Sequence, residues 1–277
     1  MITIAQRLFG VPLLVHPTRA LELARFLGER QRLDIRAGWD ADEPLPAHGR
    51  ERPYEVVDGI ARLPIEGTLV HKAGGMDALS GLTGYSGISA MFDQALEDSA
   101  VHGVALMVNS PGGEVAGMFD LADRIYAARG RKPVWAILDE SAYSAAYALA
   151  SAAEVISVPR TGGTGSVGVI AVHTEASRAL DQAGITVTVM RYGEKKARAN
   201  DIEPLREPDL ADLQAEIDTI GEEFVALVAR NRGIDAQDVR DQQAATFMGV
   251  HGVDRGLADI VASPDTAVQL FRETING

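Results

Sequence analysis

The chain has 277 residues, of which 46% are hydrophobic and 23% charged, so its composition is that of a globular protein rather than a disordered one. It has 26 Lys and Arg against 39 Asp and Glu, and the net charge of −13 argues against a nucleic-acid partner bound over a broad surface. There is no Cys and no run of about 20 apolar residues, so we expect no disulfide, no thiolate metal site, no membrane-spanning helix and a cytoplasmic location.

The N-terminal fifth of the chain is predicted to be separate from the main domain. Residues 17–33 carry apolar side chains at helical spacing, and the stretch 38–53, rich in Gly, Asp and Pro, is typical of a linker. We therefore divide the chain into an N-terminal helix and linker, residues 1–53, and one domain of residues 54–277. Whether the N-terminal segment is a pro-segment stays open.

From residue 54 onward, short apolar strands alternate with helices. Strands are predicted at residues 60–70, 103–109, 134–138, 154–158, 167–172 and 186–190. Helices are predicted at residues 88–97, 115–126, 142–152, from 175 and at 209–230, with a Gly-rich loop at 73–87. Strands that are apolar on both faces and separated by helices favour a parallel sheet with crossover helices, which is an α/β fold.

Three uncharged segments rich in Gly or Ser lie at the ends of predicted strands, where sites form in α/β sheets. Residues 109–113 (NSPGG) could turn backbone amides outward to hold an oxyanion, or could simply form a tight turn. In residues 141–147 (SAYSAAY), a Ser at a helix start is either a nucleophile or an N-cap. Residues 161–168 (TGGTGSVG) lack the Lys of a phosphate-binding loop and precede a strand, so the nucleotide interpretation fails.

A serine nucleophile needs a base, and two kinds of residue are available. His173 lies near the third segment, at the end of a predicted strand, although a single His there is more often structural. Lys195 and Lys196 follow the strand predicted at 186–190, although a Lys–Lys pair is commonly a solvated loop. A lysine can act as a base only when burial and polar neighbours lower its pKa well below about 10.4.

Taken together, these motifs resemble the signal peptide peptidase A (SppA) family of Ser–Lys proteases, whose fold is related to that of ClpP. The motifs that carry the resemblance occur in the family's order: Asn109-Ser-Pro-Gly-Gly113, Ser144-Ala-Ala-Tyr147, Thr164-Gly-Ser-Val-Gly168 and Gly193-Glu-Lys-Lys196. Residues 67–70, 81–88 and 132–136 are similar to the phage capsid (prohead) protease branch. The resemblance covers roughly residues 54–261 and implies a ClpP/crotonase-like fold of ββα units in a single copy.

The resemblance also implies a role for each site residue. Ser144 would be the nucleophile and Lys196 the general base, with Lys195 as an alternative base. The amides of Gly113 and Ala145 would form the oxyanion hole, and Ser166 would orient the lysine amine. The family often has Gly-Gly after the nucleophile, whereas this chain has Ala145-Ala146, which narrows the pocket.

The implied function is that of a serine endopeptidase with a Ser–Lys dyad and with no cofactor or metal. We expect a phage capsid maturation protease that cleaves scaffold, portal or capsid proteins in the host cytoplasm or the procapsid. Its expected assembly is a homo-oligomeric ring in which the lysine approaches the serine of a neighbouring chain. The alternatives are a cytosolic SppA-type peptidase that degrades signal peptides, a non-catalytic capsid-associated protein, and an acyl-CoA hydratase or hydrolase of the crotonase type.

Overall fold

The computed structural model describes residues 13–15, 52–73 and 81–277. The helix predicted at 17–33 and most of the linker predicted at 38–53 lie outside these residues. The strands are β1 Leu13–Val15, β2 Glu55–Val57, β3 Ile60–Glu66, β4 Thr68–Val70, β5 Leu82–Gly84, β6 Gly103–Ser110, β7 Gly112–Glu114, β8 Val134–Ala142, β9 Val155–Val158, β10 Gly163–Gly165, β11 Thr246–Met248 and β12 Ile260–Val261.

Helices follow most of the strands and connect them across the sheet. They are α1 Tyr85–Glu97, α2 Met118–Ala127, α3 Ala145–Ser151, α4 Ser177–Gln182, α5 Glu207–Arg232, α6 Ala236–Asp241, α7 Val250–Asp254 and α8 Pro264–Asn276. No helix in the described part of the chain is both long and apolar enough to cross a membrane.

The larger sheet is mostly parallel and forms the centre of the fold. β6 pairs in parallel with β3 on one side and with β8 on the other, and β8 also pairs in parallel with β9 and β10. Two outer strands, β2 and β11, are antiparallel to their neighbours. This sheet with its crossover helices confirms the predicted α/β class.

A smaller sheet, in the order β1-β7-β4-β5, arises because the strand predicted at 60–70 breaks at Gly67. Gly67 has a φ of +66°, and a Cβ atom there would lie 2.2 Å from the carbonyl oxygen of Gly81. Only a glycine tolerates both this φ and this close approach, so Gly67 is a residue at which the chain can turn. As a result β3 belongs to the larger sheet, whereas β4 joins the smaller one and runs beside β7.

Side chains that alternate along the central strands enter two separate cores. Val104, Leu106 and Val108 of β6 point into the main core, which also contains apolar residues of α1, α2, α3 and α5. On the other face, Trp135 of β8 stacks on Phe271 of α8 with ring centroids 5.0 Å apart. All seven residues of α3 are buried, so this short helix forms the centre of the main core.

The strands predicted at 167–172 and 186–190 are wrong, since the structure forms β10 at Gly163–Gly165 and no strand at 186–190. We call residues 170–206 the arm; the structure describes all of them, and none is buried. Its helix α4 agrees with the helix predicted from residue 175. Met190 and Tyr192 are 93% and 102% exposed. A strand needs a neighbour for its backbone N–H and C=O groups, and residues 13–15, 52–73 and 81–277 provide none here.

Arg129 joins the end of α3 to the end of α5. Its guanidinium donates to the carbonyl oxygens of Ser151, Ala152 and Ala153 at distances of 2.7–3.1 Å, and to that of Asn231 at 3.0 Å. These are carbonyls at helix ends, where the helix itself supplies no donor. The single cation therefore satisfies the C-terminal carbonyls of the helix that begins directly after Ser144.

We expect Arg129→Met to lower the free energy of unfolding by about 2–3 kcal/mol, because several charge-assisted hydrogen bonds are lost while most of the aliphatic stem is kept. Urea unfolding followed by circular dichroism measures this change. The matched control is Arg131→Met, which removes only an exposed ion pair with Glu97 and should cost less than about 1 kcal/mol. Equal effects of the two substitutions would contradict the role given to Arg129.

Candidate active site

Ser144 lies in the turn between β8 and α3, and its backbone is strained. Its φ of 56° and ψ of −120° lie in a region that residues with a side chain rarely adopt. Such a conformation costs on the order of 1–3 kcal/mol and persists only when the surroundings impose it. A serine on a sharp strand-to-helix turn is a known way of presenting a nucleophile.

Backbone hydrogen bonds from both sides hold this turn. The amide of Tyr143 donates to the carbonyl of Ser110 at 3.1 Å, and the amide of Ser144 donates to that of Gly165 at 2.9 Å. The carbonyl of Ser144 accepts from the amide of Ala148 at 3.0 Å, which starts α3. The turn is therefore fixed to the ends of β6 and β10 as well as to its own helix.

The hydroxyl of Ser144 is buried but makes no hydrogen bond. The residue is 1% exposed, and its Oγ has no partner among the residues that the structure describes. Ser144 precedes α3, yet its side chain does not cap the helix. An unpaired buried hydroxyl costs about 1–3 kcal/mol, so a group that remains unpaired is a candidate for a catalytic role.

Gly113 of β7 lies where no side chain fits. A Cβ atom on this residue would lie 1.8 Å from the carbonyl oxygen of Leu69 in β4. The preceding residue, Gly112, has a φ of +101°, which again favours glycine. The two glycines of the NSPGG motif thus allow β7 to approach β4 closely at the end of β6.

Ser110 connects this glycine turn to its surroundings, a role that our sequence analysis did not assign. Its Oγ donates to the carbonyl of Gly67 at 2.6 Å and accepts from the amide of Gly112 at 3.2 Å. Its own carbonyl accepts from Tyr143, so Ser110 contacts both the glycine turn and the Ser144 turn. The signal was present in the motif, where a Ser precedes Pro-Gly-Gly.

Ser166 follows the carbonyl that holds the Ser144 amide. It is buried, has a φ of 56°, and its amide donates to the carbonyl of Ala245 at 2.9 Å. The structure therefore brings Ser144, Ala145 and Ser166 together, with Gly113 connected to them through Ser110. The role predicted for Ser166, orienting a lysine amine, stays a prediction.

None of the candidate bases forms a hydrogen bond with Ser144, whose Oγ has no partner in the described ranges. Lys196 is exposed, in a turn of the arm where its amide donates to the carbonyl of Gly193. The amine of Lys195 forms an ion pair with Asp212 of α5, with a nitrogen–oxygen distance of 2.6 Å. His173 is partly buried, and its Nε2 has no partner in the described part of the chain.

Two residues that help to line a small cavity of about 150 Å³, His71 and Tyr85, contact Glu114, the residue after Gly113. The carboxylate of Glu114 accepts from the amide of His71 at 2.7 Å, and its carbonyl accepts from the hydroxyl of Tyr85 at 2.7 Å. Burial, together with the nearby Glu114 carboxylate, raises the pKa of Tyr85, which keeps its hydroxyl protonated as a donor. These contacts fix the far end of β7.

No group of three or more His, Asp or Glu side chains among the described residues is arranged to hold a metal ion. The site itself offers a serine side chain and backbone amides. The site combines the unpaired hydroxyl of Ser144, on a strained backbone, with the glycine-containing strand β7.

Comparison with known proteins identifies relatives of the chain. Residues 127–276 match the model of peptidase family S49. The chain is 39% identical, over 97% of its length, to the head-tail preconnector protein GP5 of Enterobacteria phage P21, and 38% identical, over 86%, to the capsid assembly protease C of Escherichia phage lambda. It spans only 56% and 53% of the lengths of these two relatives.

Among solved structures, the chain is similar to an enoyl-CoA hydratase/isomerase family member, with a TM-score of 0.46, 15% sequence identity, and coverage of 80% of this chain and 74% of that one. The family match covers more than half of the chain and includes the Ser144 turn, the arm and α5. The family match and the two phage relatives confirm the predicted resemblance to a protease family with a phage branch. The chain belongs to peptidase family S49.

Proposed function

We propose that the protein is a serine endopeptidase in which Ser144 attacks the carbonyl carbon of a peptide bond. The observation that carries this proposal is the Ser144 hydroxyl, which is buried, unpaired and held at a φ of 56° on a strand-to-helix turn. Its environment agrees with the chemistry of the family to which the chain belongs. A nucleophile that forms no hydrogen bond of its own is available to a base and a substrate.

Two backbone amides would stabilise the oxyanion that forms when Ser144 attacks. Ala145 follows the nucleophile at the first position of α3, where amides have no acceptor within the helix. Gly113 supplies the second amide from β7, which Ser110 connects to the Ser144 turn. Donors of this kind are already oriented before the reaction, so they stabilise the developing charge without reorganising.

Lys196 would serve as the base. Its neutral amine takes the proton from the Ser144 hydroxyl as the Oγ–carbon bond forms, and it then gives this proton to the departing amine as the peptide bond breaks. A water molecule, activated by the same lysine, hydrolyses the resulting ester and regenerates the serine. The lysine takes a proton from this water and passes it to the Ser144 oxygen as the ester bond breaks, which replaces the proton that left with the amine.

The lysine would reach the serine of a neighbouring copy rather than that of its own chain. The arm that carries Lys196 has no buried residue, and its apolar side chains Met190 and Tyr192 are almost fully exposed. Apolar surface of this kind is typical of interaction sites. Among the residues that the structure describes, the Ser144 hydroxyl also lacks a partner, which is what a site completed by a second copy requires.

The biological role we propose is maturation of a phage capsid. The two phage relatives are named as a capsid assembly protease and a head-tail preconnector protein, at 38% and 39% identity. The substrates that we propose are scaffold, portal or capsid proteins, cleaved in the procapsid or the host cytoplasm. The similarity to these two phage proteins favours this role over the degradation of cleaved signal peptides.

We expect a fluorophosphonate probe to add one covalent group to the protein, on Ser144, because this reagent modifies activated serines. Intact-mass spectrometry measures the addition, and Ser144→Ala should abolish both labelling and peptide cleavage, the latter by about 10⁴-fold or more. Ser141→Ala, a substitution three residues earlier at the end of β8, is the control and should be labelled normally. Labelling that persists in Ser144→Ala would exclude Ser144 as the nucleophile.

Gly113→Ala should reduce kcat by about 100-fold or more, because the new Cβ would push β7 away from Leu69 and move one oxyanion donor. Gly87→Ala in α1 is the control, since nothing lies within 4 Å of its added Cβ. Thermal unfolding of both variants separates a displaced amide from a failure to fold. A Gly113→Ala enzyme with unchanged kcat would show that this amide is not in the oxyanion hole.

Mixing two inactive variants tests the shared site. Ser144→Ala and Lys196→Ala proteins should each be inactive, and activity should partly return when subunits exchange, because some interfaces then pair an intact serine with an intact lysine. Peptide hydrolysis together with native mass spectrometry measures activity and mixed oligomers. If mixed oligomers form without activity, each chain carries its own complete site.

The same assay distinguishes the candidate bases. Lys195→Ala should keep most of its activity, because the Lys195 amine is engaged by Asp212. His173→Ala should also remain active. An inactive His173→Ala enzyme beside an active Lys196→Ala enzyme would replace the Ser–Lys dyad by a histidine-based mechanism.

A further inference from the structure

A short segment from the start of the chain lies along β7. β1 pairs with it in antiparallel orientation, with Leu13 opposite Glu114, Leu14 opposite Gly113 and Val15 opposite Gly112. The opposite side of β7 is occupied by β4, in parallel, through Leu69 and Gly113. Both edges of the strand that carries the proposed oxyanion donor are therefore paired with segments of the same chain.

The edge covered by β1 is the one that a peptide substrate needs. A substrate carbonyl must come close to the Gly113 amide and to Ser144, and an extended peptide binds most simply by adding a strand to an open sheet edge. β4 closes one edge of β7 as part of the folded core, where Leu69 is fully buried. Only the edge that β1 occupies could become available to another chain.

We propose that the segment around β1 is a built-in occupant of the substrate-binding edge, which an extended peptide must displace before it can be cleaved. This inference rests on the proposed function, because it assigns a regulation to that same site. The register supports it, since Leu14 stands directly opposite Gly113. The ligand class is an extended, apolar peptide like residues 13–15, whose sequence is LLV.

Competition within one chain has a measurable consequence. A tethered segment acts at an effective concentration in the millimolar range, so it competes well with dilute substrate. When only about a tenth of the molecules have a free edge, the apparent KM for substrate rises about tenfold, since the affinity is reduced by the competent fraction. The turnover number of an enzyme that has bound its substrate is unaffected.

The test compares the full chain with a variant that lacks residues 1–16 and with Leu14→Pro, because proline is poorly tolerated within a paired strand. Both changes should lower KM for an extended peptide about tenfold and leave kcat unchanged. Leu14→Ile is the matched control, since an isoleucine favours a strand and should leave KM as it is. Unchanged KM in both the truncated and the Leu14→Pro enzymes would overturn the inference.

A synthetic peptide of residues 10–18, GVPLLVHPT, provides a second arm that does not depend on how the variants fold. It should inhibit the truncated enzyme competitively, raising KM alone, whereas the same peptide with Pro in place of Leu14 should inhibit at least about tenfold less well. Equal inhibition by the two peptides, or none by either, would contradict pairing at β7.

Hydrogen exchange separates failure of this inference from failure of the proposed function. In a Ser144→Ala background, the amides of Gly113 and Glu114 should exchange faster when Leu14→Pro is added, because the covering strand is lost. This measurement requires no catalysis. If the enzyme is active but neither its hydrogen exchange nor its KM changes when β1 is disrupted, the inference alone is wrong. If Ser144 is not labelled although exchange does depend on β1, the proposed function is wrong.

Discussion

The hydrogen bonds at the Ser144 turn are the constraint on which the rest of the site depends. The amides of Tyr143 and Ser144 donate to carbonyls at the ends of β6 and β10, so the turn cannot relax to an ordinary φ without breaking bonds on both sides. Burial of the whole of α3 and the contacts of Arg129 at its far end hold the helix that follows. The strain at one residue is thus offset by a large, well-packed core rather than by neighbours of Ser144 alone.

The main core does not extend into the arm. Up to residue 168 most side chains near the site are buried, whereas residues 170–206 contain none that is. The two proposed members of the dyad therefore lie in opposite environments, since Ser144 is buried in the packed core and Lys196 is exposed at the surface. In a site shared between copies, assembly would supply the burial that a lysine needs to lose its proton, and the single chain would be inert.

Local patterns were enough to predict the elements whose neighbours are close in sequence. The apolar run at 103–109 became β6, and the segment at 134–138 became the first half of β8, because both are central strands with pairing on two sides. The break at Gly67 was missed, since it depends on contact with Gly81 rather than on the residues beside it. The strand predicted at 186–190 was wrong for a related reason: an apolar, β-branched run does not form a strand where nothing pairs with it.

The site was predicted in a similar way. Glycine turns and a serine at a helix start are local signals that indicated three segments, and the family resemblance then assigned Gly113, Ser144 and Ser166, which the structure connects. The link made by Ser110 left only the Ser before Pro-Gly-Gly as a local signal, and the pairing of β1 with β7 left none, because each joins segments that are distant in the sequence. The approach of Lys196 to the serine of a neighbouring chain, which the resemblance implies, stays a prediction.

The seven buried residues of α3, with the sequence AAYALAS, limit how a protein of this design can diversify. Five of them are Ala or Ser, and enlarging any one would force the helix, and with it Ser144, away from β6 at a cost of about 1–3 kcal/mol. Substitutions within α3 are therefore a poor route to a new substrate preference. During evolution, such changes are expected instead among solvent-facing residues around the site, where substitutions leave Ser144 undisturbed.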